Sequence, residues 1–366
     1  MSEPRRVLIA AMSVQSGSGT DLYTRDLALG LLRRGWLPIV YATMIGSIGQ
    51  ELRHATIPVV DDLAAIATPP DVIHGHQVLE TIAALLRFPN VPALFVSHGA
   101  LAWSAIPPAT PRIGAYVAVD RNCRDRMAFE HGIPAERIRI LFNAVDLRRF
   151  RRRAPLPERP RRALVFSNEA SENTWAAPIR EACERRGIAL DLAGAASGRQ
   201  TSTPEELLPQ YDLVFAKARC ALEALTTGNA VIACDHAGLG GLIGSSSLDE
   251  MRALNFGART LQRAITADAI GAEIDRYDAT DAARVTDRIR ATADLELLLD
   301  QYIALYEELM ATPVLDDTRQ LALTLARVAK PIYETARVRR SPIRAALRNS
   351  RMLGLPARLL WRWIKR

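Results

Sequence analysis

The segment Asp212-Leu-Val-Phe-Ala-Lys-Ala-Arg-Cys-Ala-Leu-Glu-Ala-Leu-Thr-Thr-Gly-Asn-Ala-Val-Ile-Ala233 decides the fold. It opens as a buried strand, passes through a polar turn with two cations, Lys217 and Arg219, and continues as a short helix carrying Glu223. Gly228 closes that helix, and a second apolar strand, Ala230 to Cys234, follows. Strand, helix and strand over about twenty residues make a parallel crossover unit. In such units the helix N-terminus faces the crevice at the carboxyl edge of the sheet, where ligands bind. Helix N-termini favour anions, so the segment is expected to hold a diphosphate between Lys217, Arg219 and the backbone N–H groups of Cys220 and Ala221. Asp235 and Gly238, just past the second strand, are expected at the same edge. The bland alternative makes Lys217 and Arg219 solvated loop charges and Glu223 a surface helix residue.

Working outward, strand-like and helix-like runs alternate. Val7 to Ala11 precedes the small polar loop Ser16-Gly-Ser-Gly-Thr20, then an amphipathic helix from Leu22 to Arg34 ended by Gly35. Pro38 to Tyr41, Val72 to His74, Ala93 to Val96 and Tyr116 to Val119 are further candidate strands. An Arg/Pro stretch interrupts the pattern, which restarts with strand Ala163–Phe166, helix Ala176–Arg186 and strand Ile188–Leu192. This alternation predicts doubly wound parallel sheets, and 366 residues exceed one ordinary core. The expected divisions are an N-terminal Rossmann-like domain over 1–150, a linker over 151–162, a second Rossmann-like domain over 163–312 and a tail over 313–366. Helices between Ala283 and Met310 are expected to finish the second domain and cross back to the first.

The loop Gly17, Ser18, Gly19, Thr20 lets a ligand approach the backbone closely, since glycine lacks a Cβ. It has neither the Gly-Lys-Ser/Thr ending of a Walker loop nor the full Gly-x-Gly-x-x-Gly of dinucleotide folds. His74 and His76, alternating on an extended segment, are expected on opposite sides, which argues against a joint metal site. No Asp-x-Asp motif supports one either. His98, at a strand end before Gly99, is the candidate catalytic histidine, with a purely structural role as the alternative. Asn143-Ala-Val-Asp146 reads as a hinge turn. Four scattered cysteines, Cys123, Cys183, Cys220 and Cys234, show neither metal nor redox spacing and read as small buried residues of a reducing compartment.

The order of these signals resembles the GT-B glycosyltransferases, specifically the retaining family-4 type. The landmarks are Gly17-Ser-Gly19 with Arg34-Gly35, Asp71-Val-Ile-His-Gly-His76, Ser97-His98-Gly99 and Ile140-Leu-Phe-Asn-Ala-Val-Asp-Leu-Arg-Arg-Phe150. The fifth is Glu223-Ala-Leu-Thr-Thr-Gly-Asn-Ala-Val-Ile-Ala233, similar to the family's Glu-Ala-x-Ala-x-Gly-x-Pro-Val-Ile-Ala. The resemblance implies two Rossmann-like domains facing a crevice and a nucleotide-sugar donor, such as a UDP- or GDP-sugar. It also implies a donor site comprising Lys217, Arg219, Cys220, Ala221, Glu223, Asp235 and Gly238, with Gly17 to Thr20 near acceptor or phosphates. Glu223 would meet the ribose and His98 would lie near the transferred sugar. Two departures stand out. The family pairs two glutamates eight residues apart, but Phe215 holds the first position here. The family's Arg…Lys phosphate pair after the first strand of the second domain is replaced by Ser167-Asn-Glu-Ala-Ser-Glu-Asn-Thr174.

The expected activity is therefore transfer of a sugar, with retention, to an envelope polysaccharide or lipid-linked acceptor in a bacterium. No metal and no other cofactor is expected, because cations and a helix terminus can carry the phosphate charge. The alternatives are a nucleotide-sugar 2-epimerase of the same fold and a catalytically silent binding or scaffold protein.

Charge is uneven along the chain. Residues 313–366 carry a net +10, leaving −3 on the rest. Trp361, Trp363 and Ile364 amid cations fit an amphipathic segment on an anionic membrane surface, formed by residues 341–366. The rivals are packing of the tail on the protein and attraction of nucleic acid by charge alone, which is not the expected partner. Arg5 and Arg6 lead straight into the first strand, so no secretory leader is expected. No apolar run reaches the length of a membrane span. A cytoplasmic protein docked at the inner face of the plasma membrane is the expectation.

Overall fold

In a computed structural model, the structure describes all residues except 1–2, 16, 100–101, 172–173, 316–319 and 330–366. The basic segment 341–366 thus lies outside the described residues.

The first half contains β1 (Arg6–Val14), α1 (Gly19–Arg33), β2 (Leu37–Ile45), α2 (Ser47–His54), β3 (Val59–Val60) and β4 (Val72–Gly75). It continues with α3 (Val78–Arg87), β5 (Ala93–Ser97), β6 (Ile113–Ala118), α4 (Arg121–Asp125) and β7 (Ile138–Ile140). These strands form one parallel seven-stranded sheet in the order β3-β2-β1-β4-β5-β6-β7. The second half contains β8 (Arg162–Phe166), α5 (Ala176–Glu184), β9 (Ala189–Ala193), α6 (Pro204–Leu207), β10 (Leu213–Ala216), α7 (Ala218–Thr227) and β11 (Ala230–Asp235). β12 (Gly238–Leu242), α8 (Leu248–Ala253), α9 (Ala267–Ile274), α10 (Ala279–Arg290) and α11 (Leu295–Met310) follow. Its five-stranded sheet runs β12-β11-β10-β8-β9, parallel except for the edge strand β12. Helices cover both faces of these sheets, which is why their central strands read as unbroken apolar runs.

The segment 212–233 folds as its sequence dictates. Val214 and Phe215 of β10 are fully buried, and α7 buries the whole run from Ala221 to Thr227. Gly228, at φ 106°, takes the left-handed conformation that stops the helix, and its N–H bonds the carbonyls of Ala224 and Leu225. Chain reversal in each sheet leaves a switch point at its carboxyl edge, between β1 and β4 in the first and between β8 and β10 in the second.

Of the helices between Ala283 and Met310 expected to finish the second domain and cross back, α11 packs into the core of the first sheet. Leu295, Leu299, Tyr302, Leu305 and Tyr306 join the cluster built on β1, β4 and β5. The apolar face of α11 has no counterpart left to cover in the second half, where α10 already closes the core with Val285 and Ile289. The chain therefore crosses between halves twice, side by side. The two crossings are tied by Val145 N–H to Ala293 O (2.8 Å) and Leu295 N–H to Val145 O (3.0 Å). Asn143 and Asp146 flank this crossing, as expected of a hinge turn; Asn143 bonds Asn255 across the halves at 3.2 Å. The linker arginines are pinned to the second half, with Arg153 on Asp212 at 3.0 Å and Arg149 on Glu205 at 2.6 Å.

Candidate active site

The carboxyl edges of the two sheets face each other across a crevice of about 540 Å³. From the first half it takes Gly17, Gly19, Leu22 and Arg25, then Ser47, Ile48 and Glu51 of α2. From the second it takes Phe166 and Asn168 after β8, Gly194 and the loop Gln200–Ser202, and Arg219, Cys220 and Glu223 of α7. Arg149 enters from the crossing segment.

The loop after β1 is shaped by capping. Ser18 caps α1 by accepting a hydrogen bond from the Asp21 N–H at 3.2 Å, and Asp21 accepts from the Ser18 N–H at 3.2 Å. Gly17 sits at φ 83°, where a side chain would be strained. A Cβ on Gly19 would meet nothing within 4 Å, so the backbone there is open to a ligand. Thr20 stands in the first turn of α1, outside the crevice lining.

The helix α7 supplies the second wall. Its first-turn amides, on Ala218, Arg219 and Cys220, have no acceptor within the helix by helix geometry. The Ala221 N–H is different from the expectation: it bonds Lys217 O at 3.2 Å, and its side chain is fully buried, so it belongs to the helix and not to a cradle. Ala218 adopts φ 48°, a left-handed conformation unfavourable for a residue with a Cβ. That conformation turns the chain sharply between Lys217 and Arg219 and sends the two cations different ways.

Arg219 is the one that faces the crevice. Its Nε donates to Glu223 Oε1 at 2.7 Å, and its Nη2 reaches Asp26 Oδ2 on α1. Asp26 in turn accepts from Arg25 through its other oxygen, at 2.9 and 2.8 Å. Burial pushes the Asp26 carboxyl up, but Arg219 and Arg25 outweigh it and hold the group below its usual range. Burial wins at Glu223, whose carboxyl stays above its usual range despite Arg219. Burial alone would lower the Arg219 guanidinium, yet Asp26 and Glu223 raise it. The bland reading therefore fails for both residues: Arg219 is 13% exposed at its side chain and Glu223 4%.

Lys217 turns away from this crevice. Its ammonium bonds Asp235 and, at 3.3 Å, Glu169. Burial lowers its pKa, but these two carboxylates outweigh that and raise it. Asp235 is buried against Lys217 and the Ala237 N–H (2.6 Å), outside the crevice lining. Gly238 opens β12 at φ 153°, where a Cβ would lie 2.6 Å from Leu261 O; close packing of the hairpin explains it. Glu169, Asp235 and His236 bring potential metal-ligand atoms within 4.8 Å of one another, with the Lys217 ammonium bonded to two of the three. Cys220 lines the crevice with its thiol pushed up to about 12 by burial, so it is an inert wall.

His98 lies behind the crevice, in an aromatic cluster. Its ring meets Tyr23 edge-on at 4.5 Å and His76 at 4.7 Å, and its buried Nε2 has no partner. Burial pushes its pKa down to about 3. His74 and His76 share one side, with rings 4.8 Å apart, contrary to the expectation of opposite sides. Residues two apart in a strand point the same way, because the side-chain period is two. His74 bonds the Tyr306 hydroxyl at 2.6 Å and His76 the Thr24 hydroxyl at 3.0 Å.

Residues that sequence reasoning missed are Arg25, Asp26, Glu51, Arg149 and the loop 200–202. Arg149 belonged to a visible run of arginines, but nothing local distinguished it from its neighbours.

Residues 17–149 match the family described as Glycosyltransferase Family 4. Among solved structures, the chain is similar to a glycosyltransferase from Rickettsia africae ESF-5, at 13% identity and TM-score 0.61, over 85% of this chain and 100% of that one. It is also similar to Anabaena Alr3699/HepE, solved in complex with UDP and glucose, at 14% identity and TM-score 0.59 over 84% and 100% of the two chains. The chain has the GT-B fold. Acinetobacter baumannii MurG shares it, at 13% identity and TM-score 0.53, over 83% of this chain and 100% of that one. No curated protein matches this sequence. The GT-B crevice is thus the one lined by α1, α7 and Arg149, and its two walls come from the two halves of the chain. Among the described residues, no helix is long and apolar enough to cross a membrane.

Proposed function

We propose that the protein is a glycosyltransferase that binds a nucleotide-diphosphate sugar in the GT-B crevice and passes the sugar to a glycan or lipid-linked acceptor. The observation that carries this reading is the convergence of Arg219, Glu223 and the open first turn of α7 on a 540 Å³ crevice between two switch points. Transfer leaves negative charge growing on the diphosphate, and preorganised cations and amides aimed at it lower the barrier. Arg219 and the amides of Ala218 to Cys220 would supply that stabilisation, with Arg25 and Arg149 lining the same space. Glu223, buried one turn into α7, would accept hydrogen bonds from the ribose hydroxyls. Gly17 and Gly19 would let acceptor or phosphate approach the backbone. His98 is assigned a positioning role behind Tyr23, since it lies outside the crevice lining. The likeness of residues 17–149 to Glycosyltransferase Family 4 supports the expectation that the sugar is transferred with retention of configuration.

The likeness to HepE, solved with UDP and glucose, supports a UDP-sugar as first donor to test. Calorimetry with UDP- and GDP-sugars should find a binding donor, and NMR of the product should show an unchanged anomeric configuration. Glu223→Ala should weaken donor binding; an unaltered affinity would remove Glu223 from the site. One observation favours a silent binding protein instead. Phe215, where the family carries its first glutamate, is fully buried in β10. A tightly bound donor that is neither hydrolysed nor transferred, across an acceptor panel, would establish that second reading. For the tail, the sequence of 341–366, with Trp361 and Trp363 among cations, supports docking to an anionic membrane from the cytoplasmic side.

A further inference from the structure

We infer that Asp26 sets the affinity of the crevice for the donor's diphosphate by standing in the place of a phosphate between Arg25 and Arg219. The inference rests on the crevice being the donor site. Asp26 gives one carboxylate oxygen to Arg25 (2.9 and 2.8 Å) and the other to Arg219, so two guanidinium groups clamp one small anion. The clamp is built and not a surface accident: side-chain exposure is 6% for Arg25, 12% for Asp26 and 13% for Arg219. Both arginines line the crevice, whereas Asp26 does not. Their spread toward the open space is what a diphosphate oxygen needs, since guanidinium forks match carboxylate and phosphate geometry alike.

The charge balance gives the inference its consequence. Arg25 and Arg219, together +2, face three carboxylates, Asp26, Glu51 (3.7 Å from Arg25) and Glu223 (2.7 Å from Arg219), so the cluster carries a net −1 with Asp26 in place and is neutral without it. A diphosphate entering the crevice must take Arg219 from Asp26. Asp26 belongs to α1 in the first half and Arg219 to α7 in the second, so the exchange also breaks an ion pair between the halves. Donor binding and loosening of this contact are therefore one event.

Inorganic pyrophosphate, titrated calorimetrically at low ionic strength in metal-free buffer into the full chain, isolates the anion site from base and sugar. Asp26→Asn should bind pyrophosphate about tenfold or more tightly than the natural sequence, because an internal competitor is neutralised while the arginines remain. Arg219→Gln should lose that binding. Unchanged or weaker affinity in Asp26→Asn, or no binding in either chain, overturns the inference. If Asp26→Asn does not fold, carboxylate NMR of the natural chain decides. Its Asp26 carboxyl should titrate at higher pH with pyrophosphate bound, having lost Arg219, and an unmoved midpoint overturns the inference. Failure of the functional reading looks different: tighter pyrophosphate in Asp26→Asn with no sugar transfer leaves the clamp standing and sinks the enzyme. Sugar transfer with no change in pyrophosphate binding does the reverse.

Discussion

His74, His76 and His98 are three imidazoles packed edge-on behind the crevice, each with a buried Nε2 that lacks a partner. Burial keeps all three neutral, and for His98 the pKa falls from 6.5 to about 3. The sign follows from proton counts. Between pH 6.5 and 3 the unfolded chain holds a proton on His98 that the folded chain does not. Stability contributed by the neutral state is therefore complete above pH 6.5 and is lost as pH falls. We predict that unfolding free energy drops by up to about 1.4 kcal/mol per pH unit for His98 in this window, with His74 and His76 acting in the same direction. Urea melts at pH 7.5 and pH 5 would read the slope, and His98→Phe, which keeps a ring against Tyr23, should flatten it. An equal slope in the variant would mean that other groups carry the acid sensitivity. The residue scale also shows where sequence reading slipped. His74 and His76 share a face by simple strand periodicity. The contacts of His76 with Thr24 of α1, 52 positions away, and of His74 with Tyr306 of α11, 232 positions away, have no local signal.

At the scale of elements, patterning was a reliable guide wherever a strand was central and apolar. β1, β4, β5, β8 and β10 all lie over stretches whose hydrophobic runs announced them. Short or edge elements were not legible: β3 has two residues, β7 three, and β12 is a glycine-rich antiparallel edge. A glycine shapes one wall of the crevice, just after β9. Gly194, at φ 145° after β9, lies against the backbone of Ser167 and Asn168, where a Cβ would clash with the Ser167 carbonyl. Backbone cannot yield as a flexible side chain can. Gly194→Ala should therefore destabilise the protein by about 1–3 kcal/mol and displace Asn168 and the 200–202 loop from the crevice. A chemical melt paired with donor calorimetry would check both effects. Wild-type affinity in the variant would show that this loop does not shape the site.

Across the whole molecule, the two halves meet through a few polar ties besides the paired crossings. Arg219 with Asp26 closes one side, while Arg259 with Asp125 (2.6 Å) and Asn143 with Asn255 hold the other. Polar contacts of this kind are characteristic of domains that move relative to one another. A third region, the basic tail, belongs to the same scale because its partner would be a surface and not a residue. Removing residues 341–366 should shift the protein from membrane to soluble fraction and abolish its binding to anionic vesicles. Undiminished vesicle binding by the shortened chain would exclude the tail as the anchor.

The sequence by itself determined the alternation of strands and helices, the crossover at 212–233 and the α/β class, because each rests on local hydrophobic period and on glycine stops. It also marked Glu223 and Arg219, which share one helix four residues apart. Only the tertiary structure decided which cation faces the crevice. Lys217 and Arg219 are separated by one residue, and the left-handed turn at Ala218 parts them: one goes to Asp235, the other to Asp26, 193 positions away. Pairings of that range depend on how two sheets are brought edge to edge, and no short stretch of sequence encodes them. The same holds for α11, whose amphipathic pattern predicts a helix but not the sheet it covers.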